Sequence, residues 1–172
     1  RVTGVQTCAL PISVDVGQHM VWSYQSFKNR EGQKLLFSGG HGAMGYGLPA
    51  AIGAYYATGR PVVCICGDGA FQMNIQELEW VKRENLPIKM LIMNNEALGM
   101  IRHLQRDYFD CLFAGTTDGC GFASCNFSKV ADAYGIPSKR MWCDEVKEPH
   151  RNSWKKKARD FWKSCWNTEP MH

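Results

Sequence analysis

Apolar runs alternate with stretches of helical periodicity along most of the chain. The continuous or mainly apolar runs predict four strands, at residues 13–17, 34–38, 62–66 and 88–93. Apolar residues at helical spacing predict three helices, at residues 48–58, 75–85 and 127–134. Because apolar strands separated by helices are typical of parallel sheets covered on both faces, the pattern predicts an α/β fold. We expect a three-layer, doubly wound and mostly parallel sheet with helices on both faces, and ligands at the carboxyl ends of its strands.

The length of 172 residues suits one domain with its own hydrophobic core. We interpret residues 1–12, RVTGVQTCALPI, as a translated sequencing adaptor, and we expect the domain at residues 13–146, as a fragment of a longer gene. Residues 147–172 contain no Leu, Ile or Val. Two interpretations of this atypical tail stay open: an amphipathic helix that carries Trp154 and Trp162, or a frameshifted end.

Charge and cysteine usage narrow the class of protein. The 20 basic and 16 acidic residues give a net charge of +4, which is too small to indicate a nucleic-acid partner. No apolar run approaches the roughly 20 residues that a membrane-spanning helix needs. The cysteines lack the paired spacing of a zinc site, so we interpret them as reduced thiols of a cytoplasmic protein.

The segment GHGAMG, residues 40–45, satisfies the pattern GxGxxG between a predicted strand and a predicted helix. This pattern raises the hypothesis of a dinucleotide site. The full fingerprint also requires an acidic residue about 20 positions further on, to hold a ribose hydroxyl. Position 60 is Arg60, so the second half of the fingerprint is missing, and the motif alone is weak support for a dinucleotide.

A second group of polar residues follows two successive strands. Gly67-Asp68-Gly69 comes after the strand at 62–66, and Asn94-Asn95 comes after the strand at 88–93. If these strands are parallel neighbours, both loops lie at the same edge of the sheet. Carboxylate and amide oxygens are hard ligands that suit Mg²⁺ or Ca²⁺ rather than zinc.

The charges around Asp68 indicate what such a metal would do. No Lys or Arg occurs between Gly67 and Glu77, so no P-loop lysine is present to meet a phosphate. Asp68 alone would repel a phosphate, whereas Mg²⁺ commonly binds one or two carboxylates together with phosphate oxygens. The sequence therefore predicts a metal that bridges Asp68 to a phosphate group.

The order GDG, helix, strand, NN resembles the signature of thiamine-diphosphate-dependent enzymes. Three further segments agree with this family: DVGQH at residues 15–19, GAMGYGLPAAIG at residues 42–53 and QMNIQEL at residues 72–78. Between residues 13 and 136 the chain is similar to the C-terminal, diphosphate-binding domain of acetolactate synthase large subunits and their relatives. The resemblance implies the thiamine-diphosphate-binding fold and two cofactors, thiamine diphosphate and Mg²⁺.

The resemblance also implies roles for individual residues. The Mg²⁺ ligands would be the Asp68 carboxylate, the Asn95 side chain and the backbone carbonyl of Ala97. The implied cofactor-binding residues are Gln18, His19, Gly42, Met44, Gly67, Gly69, Ala70, Asn95 and Met100. In the family, backbone N–H groups and the Gln–His pair meet the diphosphate, while the residues at Gly42 and Met44 hold the aminopyrimidine ring and bend the cofactor.

Each of these residues has a simpler explanation when taken alone. Met44 fits core packing, His19 fits a satisfied loop histidine, Asn94 fits a helix cap and Asp68 fits a turn acid. Taken together, these explanations would have to produce the family's order and spacing by coincidence. We therefore prefer the cofactor interpretation.

Two departures from the family pattern affect function. Leu104 stands where acetolactate synthases usually carry a tryptophan that shapes the acceptor pocket, which puts the choice of substrate in doubt. The glutamate that activates the cofactor lies in a different domain in this family, usually on a partner subunit. We therefore expect the chain alone to be inactive, and the full-length enzyme to be a homodimer or tetramer that completes the site with the partner's pyrimidine-binding domain.

The reaction implied by the resemblance is that of acetolactate synthase: pyruvate is decarboxylated and its two-carbon unit joins a second 2-oxoacid, in branched-chain amino acid biosynthesis. FAD is a possible further cofactor of the full-length enzyme. The alternatives are a 2-oxoacid decarboxylase or another carboligase of the same family, a dinucleotide-binding oxidoreductase, and a non-catalytic binding domain.

Overall fold

Four parallel strands form one sheet in the computed structural model, which describes residues 10–28, 31–112 and 126–138. The strands are β1 (Ile12–Val14), β2 (Leu35–Phe37), β3 (Val62–Gly67) and β4 (Ile88–Met93). Their order across the sheet is β2-β1-β3-β4, and each neighbouring pair is parallel. Every residue of β3 is buried, as the continuous apolar run predicts for a central strand.

Six helices among the described residues connect and cover these strands. They are α1 (Gln18–Ser26), α2 (Gly47–Thr58), α3 (Asp68–Met73), α4 (Glu77–Arg83), α5 (Gly99–Tyr108) and α6 (Phe127–Ala133). The predicted helices at 48–58 and 127–134 are confirmed within a residue. The helix predicted at 75–85 begins only at Glu77, and α1, α3 and α5 were not predicted. The segment that starts at Asp68, interpreted from the sequence as a loop, is therefore the first turn of a helix.

The strand registers show which side chains share a face of the sheet. Ile12 pairs with Val63 and Val14 with Ile65, so these apolar side chains share one face, where Tyr24 of α1 packs on Phe37 with ring centroids 4.2 Å apart. The opposite face forms the main core with α2, α4 and α6. Its buried members are Leu48, Ala51, Ala54, Val62, Cys64, Cys66, Phe71, Leu78, Val81, Leu86 and Ile88. Helices on both faces confirm the predicted three-layer α/β fold.

The order in which the strands are added to the sheet changes direction between β1 and β3. From β1 the connection through α1 leads to β2 on one side, and from β3 the connection through α3 and α4 leads to β4 on the other. Such a switch point leaves a crevice at the carboxyl ends of the two central strands, where ligands bind in doubly wound sheets. Asp15 directly follows β1 at this crevice, and Asp68 directly follows β3.

Of the two domain limits predicted from the sequence, the structure describes only the N-terminal one. Strand β1 begins at Ile12, the last residue of the segment interpreted as adaptor, and Ile12 is fully buried. Pro11 is buried as well, and its carbonyl accepts a hydrogen bond from Val63 N at 3.1 Å, so packing begins before residue 13. Strand β1 (Ile12–Val14) is shorter than the strand predicted at 13–17 and begins one residue earlier. The origin of residues 1–12 stays a prediction, and the boundary near residue 146 and the tail at 147–172 lie outside the described residues.

Candidate functional site

Asp68 is the buried acid at the centre of the candidate site. It follows β3, begins α3 and is 2% exposed. Burial raises the pKa of its carboxyl group, and hydrogen bonds from the backbone N–H groups of Gly69, Asn95 and Glu96 act in the opposite direction. Its Oδ2 atom is buried without a hydrogen-bond partner among the described residues. An unpaired buried carboxylate oxygen costs folding free energy, which a bound cation would offset.

The turn after β4 brings Asn95 beside Asp68, as the sequence predicts. Gly67 pairs with Met93, so the two loops leave the sheet at the same level. Asn94 Oδ1 accepts a hydrogen bond from Glu96 N at 2.9 Å, and Asn95 Oδ1 accepts one from Ala97 N at 3.1 Å. These are consecutive Asx turns, so Asn94 caps a turn rather than the following helix, which starts only at Gly99.

The residues next to Asp68 place backbone N–H groups at the start of a helix. Gly69 and Ala70 are both buried and lie in the first turn of α3, where the backbone N–H groups of a helix have no partner within the helix. Such N–H groups are donors to phosphate oxygens in many proteins. The placement agrees with the diphosphate role implied by the resemblance, which stays a prediction.

Gln18, at the start of α1, connects that helix to the loop after β4. Its Oε1 accepts a hydrogen bond from Asn95 Nδ2 at 3.2 Å, and its Nε2 donates one to Gly99 O at 3.3 Å. A Cβ atom at Gly99 would collide with the Gln18 side chain, so glycine is needed there for this approach. The structure thus brings Gln18, Asn95 and Asp68 into one cluster.

His19 is buried beside Gly67. A Cβ atom at Gly67 would lie 3.0 Å from His19 Cε1, so Gly67 makes room for the imidazole ring. His19 Nε2 is buried without a hydrogen-bond partner among the described residues. Burial lowers the pKa of His19, although the charge and the backbone of Asp15 oppose that shift. The imidazole is therefore neutral near pH 7 and has one nitrogen left for a ligand.

The lowered pKa of His19 predicts a specific pH dependence of stability. An unfolded histidine titrates near about pH 6.5. Because the folded pKa is lower, the unfolded state binds the extra proton first as the pH falls below that value, so the free energy of unfolding decreases. We expect the parent chain to lose more stability between pH 7.5 and pH 5.5 than His19→Gln does, measured by urea unfolding at each pH. Equal pH dependence in the two proteins would contradict the assignment.

Asp15 is a functional candidate to which the sequence assigns no role. It is 1% exposed, and its carboxylate accepts hydrogen bonds from Gly45 N at 2.9 Å and from Gly47 N at 2.7 Å. It also accepts one from Val16 N at 2.7 Å. Asp15 therefore supplies the acceptor that the start of α2 lacks locally, since Tyr46 at the N-cap makes no side-chain cap.

The loop before α2 contains the residues expected to hold the aminopyrimidine ring. Gly42 and Gly45 have φ values of 64° and 87°, a left-handed conformation that glycine adopts at little cost. Gly45 O accepts a hydrogen bond from Asn74 Nδ2 at 2.6 Å. Met44, between these glycines, is half-buried. Gly42 and Met44 thus lie in a loop fixed by β1 on one side and by the end of α3 on the other.

The same geometry argues against the dinucleotide hypothesis. In that fold the GxGxxG turn opens a helix whose free N–H groups bind the pyrophosphate. Here the Gly47 N–H at the start of α2 is already bound to Asp15, and the glycine-rich loop follows β2, which lies at the edge of the sheet. The start of α2 is therefore bound by Asp15 rather than available as a phosphate cradle.

A groove of about 410 Å³ lies beside Gln18, between α1 and α5. Its lining residues are Gln18, Val21, Trp22, Met100, His103, Leu104, Asp107 and Tyr108. Met100 and Leu104 are about half exposed and form part of its apolar wall. The structure thus places the two remaining sequence candidates next to the cluster of Gln18 and Asn95.

The donor set limits the kind of metal that could bind. Among residues 10–28, 31–112 and 126–138 there is no group of three or more His, Cys, Asp or Glu side chains that could hold a metal ion. Cys64, Cys66 and Cys111 are free thiols, in agreement with the prediction, while Cys120 and Cys125 lie outside the described residues. One carboxylate with amide and carbonyl oxygens fits Mg²⁺ or Ca²⁺, which keep water or phosphate in their coordination shell. In the described part of the chain, no helix is long and apolar enough to span a membrane.

Comparison with known proteins agrees with this site. Acetolactate synthase 2, chloroplastic, from Nicotiana tabacum is 44% identical over 137 residues, which cover 76% of this chain and 20% of the relative. Acetolactate synthase isozyme 2 large subunit from Escherichia coli (strain K12) is 43% identical over 133 residues, covering 76% of this chain and 23% of the relative. Acetolactate synthase large subunit from Cyanidium caldarium is 43% identical over 130 residues, covering 75% and 22%. The chain thus spans about a fifth of the length of these relatives.

A protein family matches most of the chain. The match covers residues 15–157, and the family is described as thiamine pyrophosphate enzyme, C-terminal TPP binding domain. It includes Asp15, Asp68 and the turn after β4, the residues that form the crevice at the switch point. Three buried polar atoms without hydrogen-bond partners in the described part of the chain, Asp68 Oδ2, His19 Nε2 and Gln72 Nε2, lie within the matched range. The chain belongs to the family of C-terminal thiamine-diphosphate-binding domains of thiamine-diphosphate-dependent enzymes.

Proposed function

We propose that this chain is the thiamine-diphosphate- and Mg²⁺-binding part of a longer 2-oxoacid carboligase with the activity of an acetolactate synthase. The observation that carries the proposal is the buried Asp68 Oδ2, which has no hydrogen-bond partner within the described ranges and lies beside the Asn95 turn. The relatives support the reaction, because those that match about three quarters of the chain are named acetolactate synthases. The activity, substrates and partners of the complete enzyme are part of this proposal.

The metal ligands in this proposal are Asp68, Asn95 and the carbonyl of Ala97. Asn95 Oδ1 already accepts a hydrogen bond from Ala97 N, but a carbonyl oxygen has a second lone pair for a cation. The diphosphate would bind the N–H groups of Gly69 and Ala70. Because no cationic side chain lies between Gly67 and Glu77, the metal would supply the positive charge that the diphosphate needs.

Other residues of this chain would position the rest of the cofactor. Gln18 would donate to the diphosphate from the α1 side, and His19 Nε2 would do so in the protonated imidazole that a neighbouring anion favours. The loop around Gly42 and Met44 would hold the aminopyrimidine ring. Bound thiamine diphosphate would supply a nucleophilic carbon and a cationic thiazolium ring that serves as the electron sink for decarboxylation of a 2-oxoacid. The contribution of the chain is orientation, charge compensation and exclusion of water.

The complete enzyme would supply what this domain lacks. The activating glutamate would come from a pyrimidine-binding domain of a partner subunit, which makes a homodimer or a tetramer the working form. FAD in the complete enzyme stays a prediction, as does a cytoplasmic location, because the relatives include proteins named chloroplastic. The substrates would be small 2-oxoacids.

The proposed cofactors can be tested by titration. We expect the complete enzyme to bind thiamine diphosphate only when Mg²⁺ is present, to lose it on chelation and to show no binding of NAD. Binding of NAD without thiamine diphosphate would support the dinucleotide hypothesis instead. Product analysis with pyruvate separates the remaining alternatives, since a carboligase forms acetolactate and a simple decarboxylase forms acetaldehyde.

The groove between α1 and α5 predicts the effect of changing Leu104. We expect Leu104→Trp to shift acceptor preference between pyruvate and 2-oxobutyrate, because pocket shape is worth roughly 1–3 kcal/mol when a few carbon atoms change. The measurement is the ratio of the two products when both acceptors compete. Ile101→Trp is the matched control, since Ile101 lies on the same helix but does not line the groove. An unchanged ratio in Leu104→Trp would place this residue outside the acceptor pocket.

A further inference from the structure

The loop of residues 42–47 is held from two sides by polar side chains that have no part in the metal site, the buried Asp15 and the half-buried Asn74. Asp15, at the end of β1, accepts hydrogen bonds from Gly45 N and Gly47 N. Asn74, directly after α3, donates from Nδ2 to Gly45 O at 2.6 Å. Both peptide groups that flank Gly45 are therefore bound by side chains from other elements.

Close packing makes these contacts selective for the observed loop conformation. A Cβ atom at Gly45 would lie 2.8 Å from Asn74 Nδ2, and one at Gly47 would lie 2.9 Å from Asp15 Oδ2. The loop backbone thus approaches the two side chains as closely as only glycine allows. Since Gly45 has φ near 87°, the hydrogen bonds and the absence of a side chain act together to hold a left-handed turn.

The groups around Asp15 stabilise a negative charge on its side chain. Asp15 is buried, and its two oxygens accept hydrogen bonds from three backbone N–H groups, those of Val16, Gly45 and Gly47. Gly47 is the first residue of α2, so the carboxylate lies at the positive end of that helix. An Asn at this position could not accept all three bonds, because its amide nitrogen would face a backbone N–H group.

We propose that Asp15 and Asn74 form a clamp that positions the loop of residues 42–47, and through it the aminopyrimidine half of the cofactor, while the Asp68 cluster binds the diphosphate half independently. This inference rests on the proposed function, since it assigns the loop to the pyrimidine ring. Asp15 and Asn74 are positioning residues, and neither is expected to touch the cofactor.

Two ligands separate the two halves of the site. Inorganic pyrophosphate with Mg²⁺ probes only the Asp68 cluster, whereas thiamine diphosphate with Mg²⁺ requires the loop as well. In the complete enzyme, we expect Asp15→Asn and Asn74→Asp each to weaken thiamine diphosphate binding about 10-fold or more, while pyrophosphate binding changes less than about twofold. Isothermal titration measures both affinities without relying on turnover.

The variants are designed so that lost stability is not mistaken for lost positioning. Asn74→Asp keeps the size of the side chain but replaces the donor to Gly45 O by an acceptor. Val81→Ala is the control for a weakened core, since Val81 is buried on α4 and makes none of the hydrogen bonds that hold the loop. We expect Val81→Ala to lower the midpoint of urea unfolding and to leave both affinities unchanged. If Asp15→Asn does not fold, Asn74→Asp alone decides the outcome.

The possible results are distinct. A parent enzyme that binds neither ligand would overturn the proposed function and the clamp with it. A parent that binds both, with variants whose thiamine diphosphate affinity stays within about twofold, would overturn the clamp alone. Variants that lose both ligands equally would also overturn it, because the two halves would then not be independent.

Discussion

Asp68→Ala is expected to abolish Mg²⁺-dependent binding of thiamine diphosphate. The diphosphate is multiply anionic, and the loops after β3 and β4 carry no cationic side chain before Arg102. Without the metal, only the backbone N–H groups and the side chains of Gln18 and His19 would remain to compensate that charge. Since even residues behind the metal ligands affect affinity by about 10–100-fold, loss of the single carboxylate ligand is expected to exceed roughly 100-fold. Titration of the cofactor into the complete enzyme, with and without Mg²⁺, measures the effect.

Asp68→Asn separates this loss of binding from unfolding. The amide keeps an acceptor for the backbone N–H groups around it but cannot supply the charge that holds Mg²⁺. Burial raises the pKa of Asp68, so the ionised form costs folding free energy near neutral pH. We therefore expect Asp68→Asn to bind almost no cofactor, yet to unfold at the same urea concentration as the unliganded parent or at a higher one.

Asn95→Ala and a surface control complete the series. Asn95→Ala is expected to weaken cofactor binding severely but less than Asp68→Ala, because it removes a neutral ligand. Asp132→Ala removes an exposed carboxylate from α6 and should leave the affinity unchanged, which controls for net charge. If Asp68→Ala binds thiamine diphosphate as tightly as the parent, the metal assignment is wrong.

The second large effect is on stability, and it is expected from a Gly→Ala substitution in α2 that is compared with the same substitution at another position of the helix. A Cβ atom at Gly47 would lie 2.9 Å from Asp15 Cβ, Asp15 Oδ2 and Cys66 Sγ. These are short, buried side chains that cannot rotate away, so Gly47→Ala overpacks the core. We expect the free energy of unfolding to fall by about 1–3 kcal/mol.

Gly53→Ala is the matched variant on the same helix, and it should have the opposite effect on the free energy of unfolding. Gly53 is exposed, and nothing lies within 4 Å of a Cβ atom placed there. Alanine is a better helix former than glycine, so we expect the free energy of unfolding to rise by about 0.5–1 kcal/mol. Urea unfolding of both variants tests the pair, and a destabilisation of similar size in both would show that the crowding at Gly47 does not decide its effect.

The main strands and the candidate metal site were predictable because they depend on local patterns. Strands β3 and β4 are short apolar runs bounded by turn residues, a pattern that a buried parallel strand imposes directly on the sequence. Once these strands are neighbours, Asp68 and Asn95 must come together, because both follow the carboxyl ends of paired strands. The juxtaposition of the two loops is thus confirmed, and the roles of their residues as ligands stay predictions.

Three helices of the described residues, α1, α3 and α5, were missed, and the reasons differ between them. Helix α3 has only six residues, begins at Asp68 between two glycines and includes Phe71, which packs against Phe127 of α6 with ring centroids 5.7 Å apart. Short helices with weak propensity form when tertiary packing supports them. Helix α5 has no buried residue, so its apolar residues do not mark a core face.

By itself, the sequence determined the alternation of strands and helices, the position of Asp68 and Asn95 at one edge of the sheet and the hard-oxygen character of the site. Only the tertiary structure decided how the loop of residues 42–47 is held, because Asp15 lies 32 residues before the Gly47 N–H that it binds. The burial of His19 against Gly67 likewise depends on how α1 packs on β3. Local patterns specify which groups are available, whereas the fold decides which of them meet and which are left without a partner.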